Sequence, residues 1–435
     1  MLFTMRVLRF VESGSDAPGR SEEPIRAELF SPERMESHAE SLAVAQRIAD
    51  GSGALPHVCA RSRDNGHVLR KCYATIAETA REKRTITPAA EWLLDNFHIV
   101  EEQLRQLDRD LTPRHCRSLP ALAEGPLSGY PRAYGIAWAL VAHTDSRFDA
   151  ALLRRFLIAY QRTDALMIRE IWVVPLMLGC VLIENLRRLA VRVAASQTGR
   201  RDADAFADEL LTHAKQSVET ADAALRSLPE RDLTRAFSVE LIQRLRYEHV
   251  SLQRLNEKLA AMGLDAGTLV QSEHASQSAA NLTVRNIVTS MRAMAAFDWQ
   301  SWFEDVSAVD GCLRSSAAFC EMDFATRDRY RHALEELARG SQRSELDIAR
   351  AVIARSALAV SAGAQAGTRE SDPGYYLIST GRNEFEHEVG FRPRLRQKIL
   401  RSQIARAPTA YFGANVLLAL AILAIPLRLD RKSVV

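Results

Sequence analysis

The sequence predicts a mostly α-helical protein, in which one or more multi-helix bundles are followed by one C-terminal transmembrane helix. Three observations predict this class. Apolar residues recur in steps of three and four between residues 93 and 111, which is the spacing of one helix face. Thr87 stands before Pro88 as an N-cap before the first residue of a helix. Near the end of the sequence, Tyr411 to Leu427 contains 17 residues without a charge.

The composition is that of a globular protein. The chain has 435 residues, of which 47% are hydrophobic and 26% are charged, so a sizeable core can form. Its 57 basic residues nearly balance its 54 acidic ones, with a net charge of +3. This balance argues against a nucleic-acid partner. The six cysteines contain no CxxC pair, which predicts reduced thiols.

Breaks in the helical pattern predict five segments in a chain too long for a single ordinary core. Polar or small-residue stretches at 196–204 and 264–278 supply two of the boundaries. The segments are 1–85, a leader with short helices; 86–195, a first helical subdomain; 196–275, a long-helix or coiled-coil-like subdomain; 276–406, a helical subdomain with a basic end; and 407–435, a transmembrane segment and tail.

The segment 86–195 is expected to begin with one helix of about six turns, which Pro113 ends. Further helices are expected at Ala133 to His143, Phe148 to Tyr160 and Leu166 to Val193. The last contains 13 apolar residues, from Ile171 to Ile183. That number is too small to cross a bilayer, so we expect a buried helix kinked at Pro175.

The segment 196–275 carries a short heptad pattern. Leu245, Leu252 and Leu259 recur at intervals of seven, and Leu241, Leu255 and Met262 fill the partner position except where Glu248 interrupts it. Three heptads are a minimal coiled-coil signal, so two interpretations remain open. A long helix packed inside a bundle is the favoured one, and a dimerising seam is the other.

The segment 276–406 is again helical. Ser344 and Asp347 form a capping box for a helix that ends near Val360. Only the stretch Tyr375 to Thr380 and the first ten residues suggest strands.

The apolar stretch Tyr411 to Leu427 is interpreted as a membrane anchor, although it is short for a span of about 20 residues. A buried core helix is the alternative. The anchor residues are Tyr411, Phe412, Val416, Leu417, Leu418, Leu420, Ile422, Leu423, Ile425 and Leu427. A juxtamembrane basic run precedes it, formed by Arg392, Arg394, Arg396, Lys398, Arg401 and Arg406. Such a run favours the cytoplasmic side of a membrane and attracts anionic headgroups, so the bulk of the chain is expected in the cytoplasm.

No catalytic motif is apparent. The sequence has neither a glycine-rich phosphate loop nor a GxSxG turn. Two DxD pairs, Asp108/Asp110 and Asp202/Asp204, resemble the cation-binding pairs of nucleotide-sugar transferases. The first is expected to close a helix and the second to open one, where acids also stabilise the helix dipole. We therefore expect a structural role for both.

Aromatic and acidic residues lie together at one place in the chain. Trp299, Trp302 and Glu304 mark a candidate carbohydrate or domain-interface surface, because aromatic rings stack on sugars and carboxylates accept their hydroxyl hydrogens. The favoured alternative is that the aromatic residues anchor the core of a helix.

Six long stretches carry a resemblance to a known family: IRAELFSPERMESHAESLA, ITPAAEWLLDNFHIVEEQLR, REIWVVPLMLGCVLIENLRRLA, FDWQSWFEDVSAVDGCLR, MDFATRDRYRHALEELARGS and DPGYYLISTGRNEFE. These stretches resemble the N-terminal region of the cyclic β-1,2-glucan synthases. They follow that family's order and cover most of the chain from about Ile25.

The resemblance implies a cytoplasmic helical domain of a bacterial inner-membrane enzyme that transfers glucose from UDP-glucose. In the family the transferase domain follows, and its RW-type motif matches none of the five tryptophans here. The chain is therefore expected to lack catalytic, cofactor and metal residues of its own, while a full-length enzyme would use Mg or Mn with UDP-glucose. Expected partners are the membrane and either the remainder of a synthase or another helical protein. A non-catalytic, membrane-anchored helical scaffold is the alternative function.

Overall fold

The fold is known from a computed structural model, which describes residues 22–53, 57–216, 218–229, 233–248, 252–361, 368–393, 397, 412–413, 415–420 and 422. Within these residues helices dominate, as predicted. The chain divides into two units, residues 1–307 and 308–435.

The first unit contains thirteen of the described helices and a small sheet. The helices are α1 (Pro32–Ala45), α2 (His57–Arg81), α3 (Pro88–Asp95), α4 (Phe97–Asp110), α5 (Pro113–Arg117), α6 (Arg132–His143), α7 (Ala150–Thr163), α8 (Ile168–Gln216), α9 (Val218–Ser227), α10 (Arg235–Tyr247), α11 (Gln253–Ala261), α12 (Ala266–Ala295) and α13 (Trp299–Val306). The strands are β1 (Ile48–Gly53) and β2 (Pro120–Leu122).

The second unit is built from shorter helices. They are α14 (Ala308–Leu313), α15 (Ala317–Glu321), α16 (Phe324–Ser341), α17 (Glu345–Ser361), a 3₁₀ turn (Arg369–Ser371), α18 (Pro373–Ile378) and α19 (Arg382–Val389).

The helix caps that the sequence predicted are confirmed. Thr87 Oγ1 accepts a hydrogen bond of 3.3 Å from the backbone N–H of Ala90. Ser344 Oγ accepts one of 3.1 Å from Asp347 N and donates one of 2.7 Å to the Asp347 carboxylate. Each cap satisfies a backbone N–H that has no partner within the helix.

The prediction of a single helix from Pro88 to Leu111 is wrong, because the helix is interrupted at Asn96. The Asn96 side chain donates a hydrogen bond of 3.0 Å to the carbonyl of Trp92. Asparagine side chains that bond to the backbone in this way favour helix ends, and Asn96 is both the C-cap of α3 and the N-cap of α4.

The 49-residue helix α8 organises the first unit. Its apolar stretch from Ile171 to Ile183 is buried and contains Pro175, which confirms the interpretation as a buried helix. α8 continues without interruption past the boundary expected at 196, so Asp202 and Asp204 lie inside a helix and do not open one. At Gly199 the helix passes close to the start of α10, because a Cβ there would lie 3.2 Å from Thr234 Oγ1.

The heptad residues lie on two helices, α10 and α11, so the prediction of one long helix is wrong. Leu241, Leu245, Leu255 and Leu259 are at most 1% exposed within one core cluster that also takes residues from α8. These leucines are therefore packed within the chain and do not form a dimerising seam.

The two strands pair antiparallel, with Ile48 opposite Leu122 and Gly53 opposite Pro120. Neither strand is among the elements that the sequence predicts. The stretch from Tyr375, predicted as a strand, is instead the helix α18, whose N-cap Asp372 accepts a hydrogen bond of 2.9 Å from Gly374 N. The first ten residues lie outside the described part of the chain.

Within the described part of the chain, no helix is both long and apolar enough to cross a membrane. The described residues of the predicted anchor are helical, and Phe412, Leu417 and Ile422 are 60–70% exposed. Tyr411, Leu423, Ile425 and Leu427 lie outside the described residues. The structure thus does not support the transmembrane helix, which stays a prediction.

Replacing Gly374 with alanine is expected to lower the free energy of unfolding by about 1–3 kcal/mol. A Cβ at this position would lie 1.9 Å from the hydroxyl oxygen of Tyr330. That hydroxyl bonds to the α18 cap Asp372 at 3.1 Å, so moving the ring also loosens the helix start. Urea unfolding followed by circular dichroism measures the change.

Gly311 provides the matched control in the same unit. It lies within α14, and a Cβ there would meet no atom within 4 Å. Gly311→Ala should therefore leave stability unchanged or raise it by up to about 1 kcal/mol. Equal effects of the two substitutions would contradict the predicted clash.

Candidate functional site

The candidate carbohydrate surface lies on α13, which begins at the N-cap Asp298. The Trp302 side chain is 5% exposed, and its ring meets that of Trp299 edge to face at a centroid distance of 5.2 Å. Glu304 and Trp299 are half-buried. Trp302 is thus a core anchor, which leaves Trp299 and Glu304 as the members with exposed atoms.

A small cleft lies next to these aromatic residues. Phe148 and Met294 line it, and both contact Trp299: the Phe148 ring at a centroid distance of 5.6 Å and the Met294 carbonyl through a hydrogen bond of 3.0 Å from Trp299 Nε1. The cleft is partly open and its volume is about 30 Å³, which leaves room for only a few water molecules. A glucosyl unit does not fit in it.

The acids of the two DxD pairs have basic neighbours. Asp110 lies 3.3 Å from the Arg109 guanidinium. Asp204 lies 3.7 Å from Arg244 and 4.0 Å from Arg84. Across the described residues, no group of three or more His, Cys, Asp or Glu side chains is arranged to hold a metal ion.

The densest polar cluster is buried around Glu184 on α8. From α2, Arg61 donates two hydrogen bonds of 2.8 Å to the two Glu184 carboxylate oxygens, and Asn65 donates a third of 2.8 Å. From α8 itself, Arg188 donates at 2.7 Å and Arg187 at 3.3 Å. The Glu184 side chain is 2% exposed, so this charge is stabilised entirely by its donors.

The Glu184 cluster also holds the beginning of the described chain. Glu22 lies 2.6 Å from Arg187, and the carbonyl of Glu23 accepts a hydrogen bond of 2.8 Å from Arg188. Next to them, the Asn185 side chain accepts from Ile25 N at 2.7 Å and donates to Ile25 O at 3.2 Å. Asn185, Arg187 and Arg188 of α8 therefore hold the segment that leads into α1.

A second buried ion pair joins α6 to α8. Arg132 donates to the two Glu170 oxygens at 2.8 and 2.5 Å, and both side chains are 1% exposed. It also bonds to Asp164, just before α8. Glu170 and Glu184 are the acids that bracket the apolar stretch of α8. In the sequence, the only sign of these two sites was that the acids flank a long apolar stretch.

A buried turn between α6 and α7 is hydrogen-bonded to other helices of the first unit. Asp145 and Ser146 have φ values of 51° and 63°, which cost energy for residues other than glycine. The turn is held by its neighbours: the Asp145 carboxylate accepts from Thr283 at 2.7 Å and from Asn286 at 3.1 Å, and Ser146 Oγ accepts from Asn185 at 2.8 Å. The hydrogen bonds of α8 and α12 therefore fix this turn.

These buried polar groups serve to position helices. The Glu184 and Glu170 carboxylate oxygens both accept hydrogen bonds from guanidinium groups of neighbouring helices.

Stability is expected to depend on pH through Glu184. Burial alone would raise the pKa of Glu184, but hydrogen bonds from Arg61 and the charges of the three arginines outweigh it and hold the pKa well below the usual 4.5. The ionised Glu184 carboxylate therefore contributes its full share to the free energy of unfolding above about pH 5. This stabilisation is lost as the pH falls towards the pKa of Glu184 in the folded state.

The test compares the wild-type chain with Glu184→Gln by urea unfolding at a series of pH values. The difference in free energy of unfolding should be constant from about pH 7 to about pH 5 and shrink below about pH 4. A difference that stays constant in acid would contradict the assignment.

The predicted anchor and basic run are described only in part. Of the six basic residues, Arg392 alone is described; it is exposed, and its backbone N–H donates a hydrogen bond of 3.0 Å to the carbonyl of Gly340. Arg394, Arg396, Lys398, Arg401 and Arg406 lie outside the described residues.

Comparison with known proteins identifies a relative of this chain. No protein-family model matches the chain. The cyclic beta-(1,2)-glucan synthase NdvB of Rhizobium meliloti (strain 1021) is 33% identical over 411 residues. The match takes in 91% of this chain and 14% of that protein, so the chain spans about a seventh of its relative. By sequence, the chain is therefore homologous to one segment of a cyclic beta-(1,2)-glucan synthase, and the predicted resemblance is confirmed.

Proposed function

We propose that the chain is the N-terminal, membrane-anchoring and regulatory portion of a cyclic β-1,2-glucan synthase. The observation that carries this proposal is 33% identity over 91% of the chain to a protein of which it spans 14%. Glucosyl transfer from UDP-glucose, with Mg or Mn, then belongs to the full-length enzyme and not to this chain alone. The remainder of the synthase is the proposed partner.

The apolar stretch Tyr411 to Leu427 is the proposed anchor in the bacterial inner membrane, with the bulk of the chain in the cytoplasm. Supporting this, its described large apolar side chains are 57–70% exposed. Exposed apolar residues in such a concentration mark a surface that another apolar phase covers. The basic run from Arg392 to Arg406 would then face anionic headgroups on the cytoplasmic side.

Membrane attachment is tested by expressing the full chain and a chain ending at Arg406, and then separating membrane from soluble fractions. The full chain should stay with the membranes through an alkaline wash, and the shorter chain should be soluble. A third chain, with Leu417 and Leu420 replaced by arginine, controls for the length of the tail. Release of the full chain by the wash would count against an anchor.

The link to a synthase is tested in the native host by immunoblotting with an antibody against residues 86–105. A membrane band several times heavier than 48.5 kDa would support the proposal, and UDP-glucose assays on that band would follow. A band near 48.5 kDa that does not co-purify with a transferase would overturn it and favour the scaffold alternative.

A further inference from the structure

Three cysteines from distant parts of the sequence meet in the core of the first unit. Cys59 Sγ and Cys116 Sγ are 3.2 Å apart, and 57 residues separate them in the chain. Burial raises the pKa of the Cys180 thiol, on α8, and the neighbouring thiols Cys116 and Cys59 raise it further. The residues are 3%, 0% and 4% exposed, respectively.

The surrounding helices fix the contact between Cys59 and Cys116. Cys59 lies in the first turn of α2. Cys116 lies in the five-residue helix α5, where Thr112 caps the helix by accepting a hydrogen bond of 3.2 Å from His115 N. The two thiols therefore approach each other between two separate backbone segments, as the two halves of a cross-link do.

We propose that Cys59 and Cys116 form a redox pair, which a peroxide converts into a disulfide that fastens α2 to α5. The sulfur atoms need to approach by roughly 1.2 Å to reach the bonded separation of about 2.05 Å. Oxidation would then close a covalent loop around α3 and α4.

The chemistry balances with one equivalent of peroxide. One thiol, as its thiolate, attacks a peroxide oxygen, which breaks the O–O bond and leaves a sulfenic acid and one water. The second thiol then displaces the sulfenic oxygen, which leaves as a second water, and the S–S bond forms. Two electrons and two protons pass from the thiol pair to the peroxide.

Burial makes this reaction slow in the folded protein. Desolvation, together with the hydrogen bond to Cys59, raises the pKa of the Cys116 thiol to about 12. Since the thiolate is the reactive form, disulfide formation should take hours at neutral pH and accelerate as the pH rises.

The test is to treat the folded full chain with hydrogen peroxide at mildly alkaline pH, block the remaining thiols and map tryptic peptides without reduction. The expected product joins IADGSGALPHVCAR, which carries Cys59, to HCR, which carries Cys116. Exposed Cys320 reports in the same sample that the peroxide was active. Absence of the linked peptide when Cys320 is oxidised would overturn the proposal.

Two variants separate this pair from the third thiol. Cys180→Ala should still form the linked peptide, whereas Cys116→Ala should not. A link between Cys116 and Cys180 in the wild-type chain would also overturn the proposal. As a second readout, the oxidised chain should melt roughly 5 °C higher than the reduced chain, because a loop closed over 57 residues restricts the unfolded state.

Discussion

The substitution Glu184→Gln is expected to lower the free energy of unfolding by about 3–5 kcal/mol. Glutamine has almost the same volume as glutamate, so no cavity forms. It carries no charge, however, and it can offer only one oxygen to the five donors that now converge on the carboxylate. Arg188, whose side chain is 5% exposed, would lose its carboxylate partner while it stays buried, and Arg187 would keep only Glu22.

Urea unfolding followed by circular dichroism measures this effect, and Glu28→Gln is its matched control. Glu28 accepts two hydrogen bonds from Arg34, at 2.6 and 3.0 Å, but the two side chains are 66% and 55% exposed. Water screens such a pair, so the control should lose at most about 1 kcal/mol. If the two variants lost the same free energy of unfolding, the burial of Glu184 would not make its ion pairs more stabilising than an exposed pair.

In the second unit, Arg331→Met is expected to cost a similar amount, about 3–5 kcal/mol. Arg331 on α16 donates to the two oxygens of Asp310 at 3.0 and 2.5 Å. The two side chains are 1% and 0% exposed. Removing the guanidinium leaves a buried carboxylate that has lost its main countercharge.

The double variant Asp310→Leu with Arg331→Met distinguishes two causes of the loss. One is the buried Asp310 carboxylate left without its partner, and the other is the missing contact between the two side chains. Two apolar side chains of similar volume can replace a buried ion pair at little cost or with a gain. The double variant should therefore be more stable than Arg331→Met alone, as measured in the same urea titration. A double variant less stable than the single one would mean that the pair's geometry, and not charge balance, stabilises α14 against α16.

The correctly predicted features of the fold depend on residues that are close together in the sequence. The caps at Thr87 and Ser344 depend on residues at most three positions away, and the burial of the stretch after Ile171 follows from its composition. The break at Asn96 was missed because one side-chain hydrogen bond decides it. The strand β1, a glycine-containing stretch IADGSG, has no alternating pattern to reveal it.

The candidate sites were harder to predict for a different physical reason. The partners of Glu184 on α2 are 119 and 123 residues away in the chain, and the sequence alone gives no sign of such pairing. Trp302 shows the converse case, because an aromatic residue beside acids is equally suited to a sugar surface and to a core. Only its 5% exposure distinguishes the two.

The continuity of α8 has a consequence for how the first unit unfolds. The early part of this helix is buried from Ile171 to Ile183, and its later part contributes Ala203, Ala207 and Leu210 to the cluster shared with α10 and α11. One ladder of backbone hydrogen bonds, about 70 Å long, joins the two parts. We therefore expect melting of either part to fray the other, which would couple the stretches on either side of residue 196 in one cooperative unfolding transition.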